Sequence, residues 1–381
     1  MRSSLRSRPG IALAVALAAI VIIGGLLVGV FYASTQEFRI GRSTVMQTKA
    51  LNAAEYGLNS VVATDFQNSW KPVTTVDSML GTLAYQPGGG TVDTVRVTAL
   101  GNGMFNVTSE GFAGSLLTAR ARKRIAALAT LRTIKLNLRG ALTTRGATKI
   151  GGSSYINGYD TTVDNWGCPP SGPAMPGIAI GDTTQVSTSG CGGYTCVNGS
   201  PKVAQDSAAA DTSTYTQFGD VNYADLAAMA SKTYSSGTTL NGMQPSYNGT
   251  SCDTGDPNNW GDPLRTLGAS AYCSSYYPII YAAGDLSVTG GYGQGLLVVN
   301  GDLSVSGGFQ FYGPVVVRGT LKTTGTGGHF NGGVMAENID LSQNTVLGNA
   351  VVSFSSCAIN MALQAAATVT FAKGRSWTDL Y

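Results

Sequence analysis

The sequence predicts an α+β protein with a long N-terminal helix, a small antiparallel β head, and a C-terminal Gly-rich β-helix (solenoid) carrying a Cys-containing insertion. Three observations predict it: an uncharged apolar run over residues 11–33, a helical apolar pattern that continues to about residue 65, and a repeat of 17–18 residues within residues 282–354. Charged residues make up only 12% of the chain and hydrophobic residues 43%, a balance that excludes disorder for most of it.

The apolar run is long enough to cross a membrane. As a helix, residues 11–33 span about 34 Å, which exceeds the hydrocarbon thickness of a bilayer. Arg2, Arg6 and Arg8 precede the run and favour a cytoplasmic N-terminus. The run is longer than the apolar core of a secretory signal peptide. It therefore predicts either a plain anchor or a basic leader that is cut off in front of a retained helix.

The residues after the run predict that the same helix continues. Residues 34–65 contain no Pro, and Phe38, Val45 and Leu58 recur at near-helical spacing. We expect this second half to lie against the protein's own head, which residues 66–137 would form. The alternating segments TVDTVRVTAL and GMFNVTSEG within the head predict a small antiparallel sheet.

The N-terminal motifs resemble a known family. The segment RPGIALAVALAAIVIIGG, followed about 40 positions later by ALNAAEYGL, resembles the PilX-type minor pilins of type IV pilus systems. The resemblance implies that residues 1–10 are a prepilin leader, that prepilin peptidase cuts between Gly10 and Ile11, and that Ile11 becomes the methylated mature N-terminus. It further implies filament-packing positions, which are Val15, Gly24, Gly25, Ala53, Ala54, Glu55, Gly57 and Leu58.

The same resemblance implies a place and partners. The protein would insert into the bacterial inner membrane by this helix, with the C-terminal part periplasmic and later at the cell surface or in the pilus. Its partners would be other pilins, the pilus assembly platform and prepilin peptidase. One position departs from the family: major pilins carry Glu at the fifth mature position, where this chain has Val15. That departure is familiar in tip-type subunits, so we expect a role in priming or at the tip. For Gly24 and Gly25, local unwinding and close helix packing both stay open.

The C-terminal part, residues 138–381, predicts a β-solenoid. The best copies of its repeat are AGDLSVTGGYGQGLLVV and NGDLSVSGGFQFYGPVVV, with internal alternation and Gly at the corners. We expect fragments at 140–160 and 177–190 to be further turns, an insertion at about 191–278 with one helix (YADLAAMASKTY), and the ending GRSWTDLY to cover the last turn. The predicted solenoid core positions are Leu286, Leu303, Leu321, Ile339, Val298, Val316, Val334 and Val352.

Six cysteines favour disulfides formed in an oxidising compartment. They are Cys168, Cys191, Cys196, Cys252, Cys273 and Cys357. No CxxC occurs, and the sequence leaves all fifteen pairings open.

Signals for catalysis are weak, and we expect no enzyme, no catalytic residue and no cofactor. The chain has one histidine, His329, which we expect to be a corner or packing residue. Asp285 and Asp302 stand at equivalent positions of neighbouring repeats, either as a carboxylate pair of the kind that polysaccharide-active β-helix enzymes use or as turn residues, and we favour the turn reading. A Ca²⁺ site at Asp253, Asp256 and Asp262 is the alternative to a plain polar turn.

Two surface features bear on partners. Nine cations between Arg120 and Lys149 stand in a stretch without acids, but the stretch lacks interleaved aromatic residues, so nucleic acid is not the expected partner. Aromatic residues are concentrated in the insertion and predict either an adhesive surface or internal packing; they are Tyr247, Trp260, Tyr272, Tyr276, Tyr277 and Tyr281.

The leading function is a structural minor pilin or pseudopilin that takes part in pilus assembly and displays the solenoid, with adhesion as an added use. The alternatives are a membrane-anchored surface protein that binds glycan or DNA, and a β-helix polysaccharide enzyme.

Overall fold

The computed structural model describes residues 9–60, 78–80, 83–84, 90–101, 104–114, 121–265, 272–338, 344–372 and 377–379. The chain divides into two compact units, one made of Met1–Thr130 with Val369–Tyr381 and the other of Leu131–Thr368. The sequence predicts this boundary near residue 137 and predicts that the whole C-terminal end belongs to the second unit.

The first unit packs one long helix on a small antiparallel sheet. Its elements are α1 (Pro9–Ser60), β1 (Ser78–Leu80), β2 (Leu83–Ala84), β3 (Gly90–Gly101), β4 (Met104–Ala113) and β5 (Ala121–Arg132). Strands β3, β4 and β5 pair antiparallel in sequence order, and β1 and β2 pair with β3. The predicted helix and head sheet are therefore present. The predicted continuation of the helix over residues 61–65 lies outside the described residues.

Most of the second unit is one sheet of 18 strands among the described residues. Its first strands are β6 (Leu142–Thr144), β7 (Thr148–Gly151), β8 (Tyr155–Asn157), β9 (Ile178–Ile180), β10 (Val186–Ser189), β11 (Val197–Asn198) and β12 (Val203–Gln205). A connecting region follows, made of α2 (Ser213–Thr216), β13 (Gln217–Phe218), β14 (Val221–Asn222) and α3 (Tyr223–Met229), in which β13 and β14 pair only with each other.

The chain then returns to the sheet. The next elements are β15 (Lys232–Tyr234), β16 (Thr238–Met243), the hairpin β17 (Tyr247–Asn248) and β18 (Ser251–Cys252), β19 (Ile279–Ala282), β20 (Leu286–Gln294), β21 (Leu296–Val299), β22 (Leu303–Ser306) and β23 (Phe309–Val317). The last elements are β24 (Leu321–Thr323), β25 (Gly328–Ala336), β26 (Asn344–Val346), β27 (Val351–Phe354), α4 (Ser356–Ala366), β28 (Thr368–Phe371) and β29 (Trp377–Asp379).

The large sheet is parallel and curls because its strands form three columns. One column runs β16, β20, β22, β24, β26, β7, β10. A second runs through the end of β20, the first halves of β23 and β25, then β27, β8, β11. The third runs β15, β19, β21, the second halves of β23 and β25, then β6, β9, β12.

Glycine permits the bends between columns. At one corner, Gly295, Gly313 and Gly332 have φ of 115°, 132° and 153°, a backbone region that strains any residue with a Cβ. A Cβ on Gly313 or Gly332 would also collide with the carbonyl of the glycine in the turn before it. The Gly repeat thus lets successive turns approach closely.

The order of the strands differs from the order along the chain. Strands β6, β7 and β8 pair with β25, β26 and β27, so the segment 142–157 follows the segment 334–354 in the stack. The sequence predicts that residues 191–278 are an insertion, yet β11, β12, β15 and β16 come from that range and belong to the sheet. Of the expected helix there, Tyr223–Met229 is helical, with Asn222 and Asp225 forming a reciprocal cap.

The expected core column of valines is split between two faces. Leu286, Leu303 and Leu321 do stack in register, and all seven of the eight core positions that are described are buried, with Ile339 outside the described residues. Val316, however, pairs with Met335 and not with Val334, because the step there is 19 residues. A one-residue shift reverses the side-chain face.

As a result, the valines enter two hydrophobic clusters. Val334 and Val352 join the main core between the columns. Val298 and Val316 join a second cluster that also contains Leu226 of α3 and Ala366 of α4.

The C-terminal end joins the first unit's sheet. Strand β28 is ordered next to β5, and β29 pairs antiparallel with β5, Trp377 opposite Ala127. The expectation that GRSWTDLY covers the last solenoid turn is therefore wrong. The outermost turn, formed by β10–β12, instead holds the Cys191–Cys196 loop, whose cysteines belong to the main core.

Candidate functional site: the exposed apolar helix

The N-terminal half of α1 is an apolar surface that nothing in the described part of the chain covers. Every described residue from Ile11 to Ala33 is exposed, including Val15 at 62%. Within the described residues, α1 is the one helix long and apolar enough to span a membrane. Exposing a contiguous apolar surface of this size to water is unfavourable, so the surface indicates a contact with a membrane or with another protein.

The exposed stretch extends beyond the apolar run. Phe38 is 73% exposed and Val45 53%, so the expectation that the helix lies against the head from residue 34 onward is wrong. Burial begins at Ala50. The intervening segment carries charges at Glu37, Arg39 and Arg42, and Thr35 and Thr44 hydroxyls donate to the carbonyls of Tyr32 and Ile40 within the helix.

The last turns of α1 dock on the sheet through small residues. Ala50, Ala53, Ala54 and Leu58 are buried, whereas Glu55 faces solvent. This explains the Ala-Ala-x-x-Gly-Leu spacing in local terms: small side chains on one helical face let the helix backbone approach strands β3 and β4.

Glycines on the helix and on the sheet complete this contact. A Cβ on Gly111 of β4 would meet the Ala50 carbonyl oxygen and lie 2.5 Å from the Ala54 nitrogen. A Cβ on Gly57 would lie 2.5 Å from Ser109 Oγ. By contrast, Gly24 and Gly25 have nothing within 4 Å, and α1 continues through both as helix. No contact in the described chain accounts for those two glycines.

The predicted leader junction, between Gly10 and Ile11, lies at the start of the described helix. Pro9 and Gly10 are the first helical residues, and Ile11 is exposed. Arg2, Arg6 and Arg8 lie outside the described residues.

The corner carboxylates act as turn residues. Asp285 Oδ1 accepts the Asp302 N–H at 2.8 Å, and Asp302 Oδ1 accepts the Thr320 N–H at 2.8 Å, so each carboxylate fixes the corner of the following turn. Lys322 Nζ lies 2.6 Å from Asp302 Oδ2. Burial raises the pKa of Asp302, but the hydrogen bonds from Lys322 and Thr320 outweigh it and leave this pKa below its ordinary value.

The three candidate calcium ligands are engaged in separate contacts. Asp253 Oδ1 accepts the Gly255 N–H, and Asp256 Oδ1 accepts the Asn258 N–H. Asp262 is buried; its Oδ2 accepts the Tyr247 hydroxyl at 3.3 Å. Burial, followed by the Asp262 charge, raises the pKa of Tyr247 to about 12, so the phenol keeps its proton for this bond. In the described part of the chain, no group of three or more His, Cys, Asp or Glu residues is placed to hold a metal ion.

Four arginines of the basic stretch form ion pairs with acidic side chains, each within its own unit. In the first unit, Arg122 and Arg124 both pair with Glu110 at 3.1 and 3.3 Å. In the second, Arg132 pairs with Asp225 and Arg139 with Asp206. These pairs leave less net charge for an external anion than the sequence suggests.

The aromatic residues of the former insertion mostly pack internally. Trp260 is fully buried against Phe309 and Phe311, and Gly293 leaves room for it, since a Cβ there would lie 2.6 Å from Trp260 Cβ. Of the six aromatic residues singled out above, Tyr272 alone is exposed, at 48%. His329 lies in β25, paired with Gln310 and Val351.

The six cysteines form three disulfides: Cys168–Cys357, Cys191–Cys196 and Cys252–Cys273. The first joins the loop after β8 to the first turn of α4, across a sequence separation of 189 residues. Around it, Trp166 packs on Tyr277 and Tyr312, and the Arg265 guanidinium lies 5.2 Å from the Trp166 ring. These contacts hold α4 on the curled sheet.

Comparisons with known proteins do not assign the chain to a family. No family model and no curated protein matches the chain. Among solved structures, the chain is similar to the crystal structure of the competence-associated pilin ComZ from Thermus thermophilus, at 11% identity over 88% of this chain and 97% of that chain, with a TM-score of 0.26. An overlay at that score supports no inference about function.

Proposed function

We propose that the chain is a structural subunit of a type IV pilin-like filament, a minor pilin or pseudopilin of the PilX type. The observation that carries the proposal is the two-part helix α1. Its uncharged residues 11–33 are exposed, while Ala50–Leu58 are docked on the protein's own sheet. Such a helix has one end built into its own fold and one end free for the membrane and for other subunits.

The processing steps follow from the resemblance at the leader. Prepilin peptidase removes residues 1–10, and Ile11 becomes the methylated N-terminus. The helix first holds the protein in the bacterial inner membrane, with both folded units on the periplasmic side, and then packs among other pilins. Val15 in place of the family's Glu supports a place at the tip or in priming, since a subunit with none above it needs no such charge there.

In this proposal the curled parallel sheet is a β-solenoid that the filament displays. Its support is the stacking of repeated leucines and of corner glycines in successive turns. The proposed function is structural; one oxygen each of the Asp285 and Asp302 carboxylates accepts a backbone N–H group, which supports their role as turn residues. Adhesion stays a prediction from the sequence, with Tyr272 as the exposed residue to probe.

The second candidate is a membrane-anchored surface protein that never leaves the membrane and binds glycan or DNA. The same exposed apolar run favours it, because 23 uncharged residues suffice for an anchor by themselves. The two candidates differ in whether the helix is released from the membrane.

Shearing of intact cells separates the candidates. We expect the wild-type protein in the sheared surface fraction, and Gly10→Val to retain it in the membrane. Gly41→Ala is the matched control, because it changes a glycine of the same helix that has nothing within 4 Å and is not among the predicted filament-packing positions, and it should behave like wild type. Wild-type protein that stays wholly in the membrane fraction, with or without prepilin peptidase, would favour the plain anchor.

A further inference from the structure

The loop over residues 252–262 encloses a positive charge that belongs to the chain itself. Lys232 of β15 is only 6% exposed, and its Nζ donates to the carbonyl oxygens of Thr254, at 2.7 Å, and Asp256. A buried ammonium of this kind is rare unless it is paired, because taking a charge out of water is costly.

The backbone of the loop is shaped so that its oxygens face this ammonium. Asp253 and Asp256 each fold back on the N–H two residues later, at 3.0 and 2.9 Å. Asn259 Nδ2 donates to the Asp253 carbonyl at 2.7 Å and to the Ser246 carbonyl at 3.0 Å. Carbonyl oxygens converging beside two carboxylates are the environment that hard cations prefer.

Both carboxylates also act on the lysine. Burial lowers the pKa of Lys232, and the Asp256 and Asp253 charges oppose that shift. The acids that the sequence suggested as calcium ligands thus help to keep Lys232 protonated.

We propose that the Lys232 ammonium is the permanent cation of loop 252–262, held where an acidic loop of this kind would otherwise bind a divalent metal ion. The loop then needs no calcium to fold. The loop positions Trp260. The Trp260 carbonyl accepts the Gln294 N–H at 2.8 Å, and the Trp260 ring packs in the core against Phe309 and Phe311. The nearby Cys252–Cys273 disulfide reports on the same loop.

The test measures how fast each disulfide of the full-length protein in detergent is reduced, by alkylation and peptide mass spectrometry, in Ca²⁺ or in EDTA. In the wild type we expect the same rate for Cys252–Cys273 in both. In Lys232→Met we expect that disulfide to react about tenfold faster, because two buried carbonyls lose a charged donor. Cys168–Cys357 should keep its rate and show that the rest of the unit is folded.

Two further variants complete the design. Lys202→Met is the matched control: Lys202 also donates to one backbone carbonyl, that of Tyr194, but is exposed, so its loss should change neither rate. Lys232→Arg keeps the charge and should restore protection. A wild-type rate that rises in EDTA would assign the site to a metal ion and overturn the proposal, as would Lys232→Met behaving like Lys202→Met. If Lys232→Met does not fold, the wild-type comparison and Lys232→Arg decide alone.

Discussion

The docking of α1 on its sheet makes a sharp prediction at Gly111. In a strand, replacing Gly by Ala ordinarily stabilises, since Gly loses more conformational freedom on folding. At Gly111 the new methyl group would meet the Ala50 carbonyl oxygen, lie 2.5 Å from the Ala54 nitrogen and 3.0 Å from the Ala53 Cβ. Because the two nearest atoms belong to helix backbone, the helix itself must shift.

Overpacking of a well-filled interface costs roughly 1–3 kcal/mol, and two backbone collisions place Gly111→Ala at the upper end, about 3 kcal/mol. At roughly 3 °C per kcal/mol for a unit of this size, we expect the Tm to fall by about 10 °C. Gly41→Ala is the matched control on the exposed part of α1, where nothing lies within 4 Å, and should raise helix stability by about 1 kcal/mol or leave it unchanged. The assay is thermal unfolding in detergent followed by circular dichroism. A Gly111→Ala protein as stable as wild type would refute the packing argument.

Three more predictions concern the second unit. Replacing both Cys168 and Cys357 by Ser frees a loop of 189 residues and should lower the free energy of unfolding by up to about 5 kcal/mol, measured with urea; an unchanged midpoint would contradict it. The hydrogen bonds that Asp302 accepts hold its pKa in the folded protein below its pKa in the unfolded chain. The stabilisation that the Asp302 carboxylate provides is therefore present above the unfolded pKa and is lost as pH falls through the folded pKa. Asp302→Asn should therefore flatten the acid side of a stability–pH curve, and an unaltered curve would exclude this role. Gly293→Val should displace Trp260 and shift its fluorescence to longer wavelength, whereas an unmoved emission maximum would show that the core yields elsewhere.

Local patterns in the sequence predicted much of this fold. The 52-residue helix and the stacked leucines follow from apolar periodicity, which depends only on neighbours in the chain. The turn role of Asp285 likewise follows from its place beside Gly at a corner.

The predictions that were wrong concern contacts between segments that are far apart in the chain. Nothing local shows that β6 pairs with β25, or that Trp377 lies opposite Ala127. The step of 19 residues from Val316 to Met335 put Val334 on the other face of its strand, and Val352 lies in another column, opposite Phe330.

The candidate sites show the same limit. The uncharged residues 11–33 predicted the exposed helix, whereas the Ala-Ala-x-x-Gly-Leu segment, which the resemblance assigns to filament packing, lies against strands β3 and β4 of the same unit. The sequence predicts a polar turn at 252–262 with a Ca²⁺ site as the alternative, but it does not indicate Lys232, which lies 20 residues before Cys252 and is brought to the loop by the pairing of β15 with β19.

We propose above all that α1 is a processed filament helix. The most direct test is mass spectrometry of the mature N-terminus, on protein from cells with and without prepilin peptidase. A processed filament helix should give a methylated Ile11 when the peptidase is present and an intact Met1 when it is absent. A protein that begins at Met1 in both strains would contradict it and would leave the helix as an anchor.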